Sequence, residues 1–243
     1  YSLDVPVLFN QYGLNEIWDA EYSAVGVKHI SAGAWDPCHF ATKDPINSLE
    51  DLKGKRVFTF PTAGRFLSQF GVVPVTLPWE DIEVAVQTGE LDGIAWSGIT
   101  EDYTVGWADV TNYFLTNNIS GAWIGSFFAN MDRWNELPDH LKELMRVCFD
   151  QSHYYRQWWY WGGEAKLRVS GTKMKLTSIP DAERAQVENA AVKFWDEIAK
   201  ESKIKAQVVD VFPNVSAFFI EKLGNCLSET VIVNVVSAVG RLG

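Results

Sequence analysis

Apolar and polar positions recur at helical spacing over residues 12–22, predicting an amphipathic helix that ends near Gly26, and the pattern then tightens into a short strand in "VKHIS". In "DPINSLEDLKGK", Pro45 marks a turn, Ser48 can cap the next one, and Gly54 ends it before the strand "KRVFTF". Residues 64–70 suit a short helix and "VVPVTL" another strand. In "PWEDIEVAVQTGELDG", Pro78 stands at a helix start, acids fill the first turn, Gly89 falls just past the end, and the strand "GIAW" follows at once. Strands alternating with helices over short connections predict an α/β fold with parallel pairing.

"DVTNYFLTNNISGAWIGSFFAN" reads as one or two strands, after which the chain turns mainly helical. A short helix is expected at 132–136 and a long one from near Pro138, with Gly162 and Gly163 as its interruption. "KMKLTSI" is a strand and "PDAERAQVENAAVKFWDEIAKES" a capped amphipathic helix. No repeat, low-complexity tract or flexible linker occurs, so any two domains should be joined by more than one crossing of the chain.

The stretch "GKRVFTFPTAGRF" runs from a buried strand into a loop with Gly64 and places Arg65 where a helix should begin. A loop feeding a helix N-terminus presents unpaired N–H groups and the positive end of a dipole, an arrangement suited to an anion. Neither the Walker spacing nor Gly-x-Gly-x-x-Gly is present, so no nucleotide motif stands behind it.

With 243 residues, 47% of them hydrophobic, the chain can bury a sizeable core. No run approaches the roughly 18 apolar residues of a membrane helix, and "YSLDVPVLFNQYG" lacks the basic start and cleavage pattern of a signal peptide. The net charge of −10 argues against a nucleic-acid partner. Cys38, Cys148 and Cys226 show no metal spacing and are expected to be buried small hydrophobes.

The four histidines are scattered, and there is no HExxH or Gly-x-Ser-x-Gly, so no catalytic residue, metal or cofactor is expected. His140 should be solvated, while His39, after Pro37, falls in a loop that can face a cleft. Glu50, Asp51, Glu80 and Asp81 fall in first turns, where they complement helix dipoles. The aromatic run "HYYRQWWYW" is explained by helix packing. Trp96 differs: it ends a strand before a small polar loop, and open α/β sheets bind ligands beyond the carboxyl ends of strands. Trp79 follows another strand, and Phe58 and Phe60 share one facing, so these four can wall a single cleft.

"INSLEDLKGKRV", "GVVPVTLPWEDIEVAVQTGELDG" and "NMDRWNELPDHLKELM" resemble, in order and over nearly the whole chain, the extracytoplasmic solute receptors (DctP type) of tripartite ATP-independent periplasmic (TRAP) transporters. The resemblance implies a two-domain periplasmic-binding-protein fold of Venus-flytrap type, with crossing strands and a long inter-domain helix. Residues 1–35 plus 123–163 would form the first domain and 36–122 plus 164–243 the second. It further implies a periplasmic protein that closes on a small organic acid ligand and delivers it to TRAP membrane permease subunits.

Three departures from the family pattern bear on the ligand. The chain starts well inside that pattern, so the upstream part of the first domain is expected to lie outside these residues. Phe58 stands where the family carries its ligand-binding arginine. In "DGIAWSG", Ala95 replaces the metal-ligating glutamate of the keto-acid branch while Trp96 is kept, and Gly121 falls at that branch's other glutamate. The expected ligand-binding set is therefore Phe58, Phe60, Trp79, Trp96 and Trp123, with Arg65 or His39 as the anion partner, which favours an apolar or aromatic carboxylate. The rival classes are a periplasmic enzyme on a similar scaffold, for which no nucleophile or base is evident, a carbohydrate-binding module, usually all-β, and a truncated receptor without ligand function.

Overall fold

A computed structural model of the chain describes residues 4–120 and 123–211. In chain order the elements are α1 (Asp4–Gln11), α2 (Leu14–Ala24), β1 (Val27–Ala34), β2 (Cys38–Thr42), β3 (Arg56–Thr59), α3 (Pro61–Leu67), β4 (Val73–Val75) and α4 (Ile82–Thr88). They continue as β5 (Gly93–Ala95), α5 (Ile99–Thr104), β6 (Tyr113–Ser120), β7 (Ile124–Asn130), α6 (Met131–Glu136), α7 (Asp139–Ser170), β8 (Lys175–Thr177) and α8 (Asp181–Ala199).

The described residues fall into two compact units. Unit 1 holds those up to Trp35, those of β7, α6 and α7 as far as Trp159, and those from Trp195 onward; unit 2 holds Asp36 through β6, and Tyr160–Phe194. In unit 1, β1 pairs antiparallel with β7, setting Gly33 opposite Gly125. Its core gathers Val5, Leu8, Phe9, Leu14, Trp18 and Val208, with Phe9 edge-on to Trp18 at 5.2 Å. The helix expected over 12–22 is α2, which begins at Leu14 after Gly13, at φ 86°, turns the chain out of α1, a helix the sequence pattern did not predict.

Unit 2 is built on a six-stranded sheet in the order β4-β3-β5-β2-β6-β8. The parallel pairing expected from strand–helix alternation holds for β3 with β4 and β5, and for β6 with β8. It fails at β2, which lies antiparallel to both β5 and β6. Helical crossovers impose parallel pairing only on the strands they connect, whereas β2 follows directly from β1 of the other unit. All five β2 residues are buried, as a central strand requires. Gly93 lets β5 approach it closely, since a Cβ there would meet Thr42 Cγ2 at 2.7 Å.

Two local expectations are corrected. The helix after β3 starts at Pro61, where the fixed φ of proline suits the first turn, so Gly64 lies inside α3 and Arg65 in its last turn. The proposed anion-binding loop is therefore absent; Gly64 instead admits Pro74, whose Cβ would lie 2.7 Å from an added Cβ. Second, α7 runs unbroken for 32 residues through Gly162 and Gly163 and ends before Gly171, at φ 94°. Ser48 does cap its turn, its N–H donating to Asp51 at 3.0 Å. Cys38 is buried in β2, Cys148 is exposed on α7 against expectation, and Cys226 lies outside the described residues. No helix among the described residues is long and apolar enough to cross a membrane.

Candidate ligand-binding site

The parallel pairing of β3 with β5 sets Phe58 beside Ile94 and Thr59 beside Ala95, so both strands end at the same edge of the sheet. Thr59 Oγ1 donates to the Ala95 carbonyl at 2.7 Å and ties those ends together. Trp96, the next residue, stacks on Phe60 at 3.9 Å between centroids and on Phe58 at 5.4 Å. Trp79 meets Trp96 edge-on at 5.3 Å and leans on Trp107 at 4.8 Å. Phe58 is buried beneath this group, whereas Trp79 is 45% exposed. The result is a rigid apolar wall that is wet at one end, and flat π faces there can hold an alkyl group or a cation.

The other candidates sit elsewhere. His39 belongs to β2 rather than to a loop, is buried, and bonds through Nδ1 to the Leu115 carbonyl at 2.9 Å. Burial pushes its pKa down to about 3, outweighing that hydrogen bond, so the imidazole is neutral and donates from Nδ1. It offers no charge to an anion. The guanidinium of Arg65 lies 5.7 Å from the Phe194 ring centroid, on α8. Trp123 belongs to unit 1, where it stands edge-on to Trp35 at 4.4 Å and accepts the Trp35 N–H at 2.8 Å. Gly121 lies outside the described residues.

Two groups of polar residues were not anticipated. In unit 2, Asp36 is fully buried; its Oδ2 accepts the Ser97 hydroxyl and, at 2.6 Å, the Gly98 N–H. Glu164 of α7 reaches the same glycine: a Cβ on Gly98 would stand 2.5 Å from Glu164 Oε1 and 3.3 Å from Asp36 Oδ2. Glu164 also accepts from the Thr100 N–H at 3.3 Å and pairs with Arg168 at 2.9 Å. Glu101 accepts the Tyr160 hydroxyl at 2.7 Å. Asp102, 2% exposed, has an Oδ2 with no hydrogen-bond partner. Burial, reinforced by the charges of Asp36, Glu164 and Glu101, holds its pKa well above the usual carboxylate range. The same surroundings push the Cys38 thiol up. Positions 36, 101–102 and 164 come from separate parts of the chain, and no sequence spacing links them.

In unit 1 the facing glycines of β1 and β7 form a floor. A Cβ on Gly125 would lie 2.2 Å from the Trp35 ring, and one on Gly33 would lie 2.3 Å from His153. Trp35 Nε1 donates to His153 Nδ1 at 3.3 Å, and the Arg156 guanidinium covers the Trp35 ring at 3.6 Å. Among the described residues, no three His, Cys, Asp or Glu side chains are placed to hold a metal ion.

The family model described as "Bacterial extracellular solute-binding protein, family 7" matches residues 7–202. A monocarboxylate 2-oxoacid-binding periplasmic protein of Nostoc is 26% identical over 185 residues, which is 72% of this chain and 48% of that protein. An ectoine/5-hydroxyectoine-binding periplasmic protein of Ruegeria pomeroyi is 23% identical over 89% of this chain and 62% of its own length. The chain thus spans about half to three fifths of these curated relatives. A crystal structure of a TRAP periplasmic solute-binding protein from Chromohalobacter salexigens, with bound (S)-(+)-2-amino-1-propanol, is 76% identical. It superposes with a TM-score of 0.89 over 91% of this chain and 70% of that one.

Proposed function

The chain belongs to family 7 of the bacterial extracellular solute-binding proteins, and from that premise we propose that it acts in the periplasm as the receptor of a TRAP transporter. It holds a small polar organic solute and hands it to membrane permease subunits. The observation that carries this reading at the level of the site is the wall of Phe58, Phe60, Trp79 and Trp96 at the joined ends of β3 and β5. The solute we favour is a small amino alcohol, the class bound by the Chromohalobacter relative. Phe58 brings no charge and His39 is neutral, so neither offers a carboxylate an ionic partner.

A second reading keeps the apolar or aromatic carboxylate. Arg156, held on Trp35, is a guanidinium set in a fixed orientation, and such a group suits a carboxylate.

A thermal-shift screen of ligand-stripped protein tests the proposal, using (S)-2-amino-1-propanol, aliphatic and aromatic carboxylates, and sugars. A ligand at about 100 times its Kd stabilises the folded state by roughly 2.7 kcal/mol. A rise with the amino alcohol is expected; a rise with carboxylates alone favours the second reading. A flat response to every compound sinks the receptor assignment.

A further inference from the structure

Packing within the chain does not account for the aromatic run of α7. His153, Gln157 and Tyr160 are buried, while Tyr154, Tyr155, Trp158 and Trp159 stay exposed, Tyr155 by 61% and Trp158 by 54%. Leu141, Leu144 and Val147 continue the exposed side toward the start of the helix. At 3.6 residues per turn these seven side chains share a strip roughly 140° wide. Lys142, Glu143, Arg146, Asp150 and Arg156, the charged residues between Leu141 and Trp159, all fall outside it. A surface helix turns a polar face to water, and one that is apolar on opposite sides is covered on both. Trp158 is already set in place, with Tyr154 at 4.5 Å and Tyr155 at 6.2 Å between ring centroids, so little side-chain freedom is left to lose on association.

We propose that this strip is the interface through which two copies of the chain pair, α7 against α7. Three observations favour a second copy as the occupant. Positions 141, 144, 148, 151, 155 and 158 follow the alternating three- and four-residue spacing of a coiled-coil seam and are all exposed, so the strip fits another helix. The seven side chains expose on the order of 800 Å², the share one partner contributes to an interface of standard size. The strip carries no charge despite the chain's net −10, and Arg146 beside it pairs with Glu143 at 2.7 Å and Asp150 at 3.5 Å, a rim with both signs. Such a patch can face its own copy across a twofold axis without like charges meeting at its centre. A membrane surface is the poorer match: helices that lie among lipid headgroups set Lys and Arg around the apolar face, whereas Glu143 and Asp150 flank this one. Pairing through α7 does not depend on which solute the protein binds.

Sedimentation velocity of the whole chain from about 1 to about 100 μM tests this, with a reductant present so that no Cys148 disulfide contributes. A dimer is expected at the upper end. Trp158→Glu should weaken it at least 100-fold, because each copy then brings a charge into the seam. Leu144→Glu should do the same and carries the test should Trp158→Glu fail to fold. Val84→Glu, at an exposed position on α4, should leave dimerisation within threefold of the wild type. A wild-type chain that is monomeric at the upper concentration overturns the proposal, whether or not its α7 then binds anionic lipid vesicles or permease subunits. So does a dimer that a folded Trp158→Glu or Leu144→Glu variant keeps within threefold, or one that Val84→Glu disrupts equally.

Discussion

Trp96 lies against Phe60 with ring centroids 3.9 Å apart and planes 22° from parallel, so the two rings form one slab. Removing Trp96 strips the contact that also seats Phe58 and Trp79. Trp96→Ala is expected to weaken solute binding tenfold or more. Arg65→Ala should leave binding within twofold, because the Arg65 guanidinium is engaged at Phe194. Titration calorimetry on both variants checks the pair, and a larger loss from Arg65→Ala would reassign the site.

Neighbouring glycines on α7 should respond in opposite directions. An added Cβ at Gly162 meets nothing within 4 Å, so Gly162→Ala should stabilise the protein by about 0.5–1 kcal/mol through helix propensity. At Gly163 the Cβ would lie 2.3 Å from Thr100 Oγ1 and 3.0 Å from Thr100 Cβ. The Thr100 hydroxyl already donates to the Tyr160 carbonyl and cannot swing away without losing that bond. Gly163→Ala should therefore cost about 1–3 kcal/mol in urea unfolding.

Acid stability should divide between His39 and Asp102. Burial lowers the His39 pKa to about 3, so between that value and the ordinary 6.5 the unfolded chain binds the extra proton. Stability from this group is complete above pH 6.5 and is lost as pH falls toward 3. Asp102 is raised, so the folded state binds the extra proton above 3.8, and its contribution is lost as pH rises through its folded pKa. Near pH 5 His39 changes the slope by about 1.4 kcal/mol per pH unit, and Asp102 changes it with the opposite sign. His39→Asn should flatten the loss of stability on acidification, and Asp102→Asn should steepen it. Urea midpoints from pH 4.5 to 6.5 give the comparison, and equal slopes in both variants would refute it.

Arg156 offers a way to separate the two ligand readings. Its guanidinium rests on Trp35 at 3.6 Å, and a lysine cannot reproduce that planar stack. Arg156→Lys should leave amino-alcohol affinity within threefold and lower stability by about 0.5–2 kcal/mol. If a carboxylate is the ligand, the same change should reduce its binding more than tenfold.

The aromatic group could be read from the chain because each member stands at or just beyond a strand end, a local position that sequence pattern reports. Arg65 misled for a local reason: Pro61 starts the helix a turn earlier than the glycine suggested, which carries the arginine into the last turn. His39 misled because Pro37 resembled the border of a loop, while β2 begins at the very next residue. Asp36 and Glu164 had no signature: they stand far apart in the chain and come together at Gly98, where an added Cβ would meet both. The floor under Trp35 was hidden similarly: Gly33 and Gly125 become partners through the register of β1 on β7.

The place of β2 in its sheet also has a consequence in time. It is the first strand of its unit to leave the ribosome and is buried along its whole length, yet Phe40 must wait for Ala95 on one side and Leu115 on the other. Until β5 has been synthesised both backbone edges of this strand stand open, and until β6 follows one still does, the condition in which a nascent chain pairs with the wrong neighbour. Closure of the sheet depends on contacts distant in sequence, which form more slowly than local ones. A chain delivered unfolded would carry that vulnerable interval to wherever it folds.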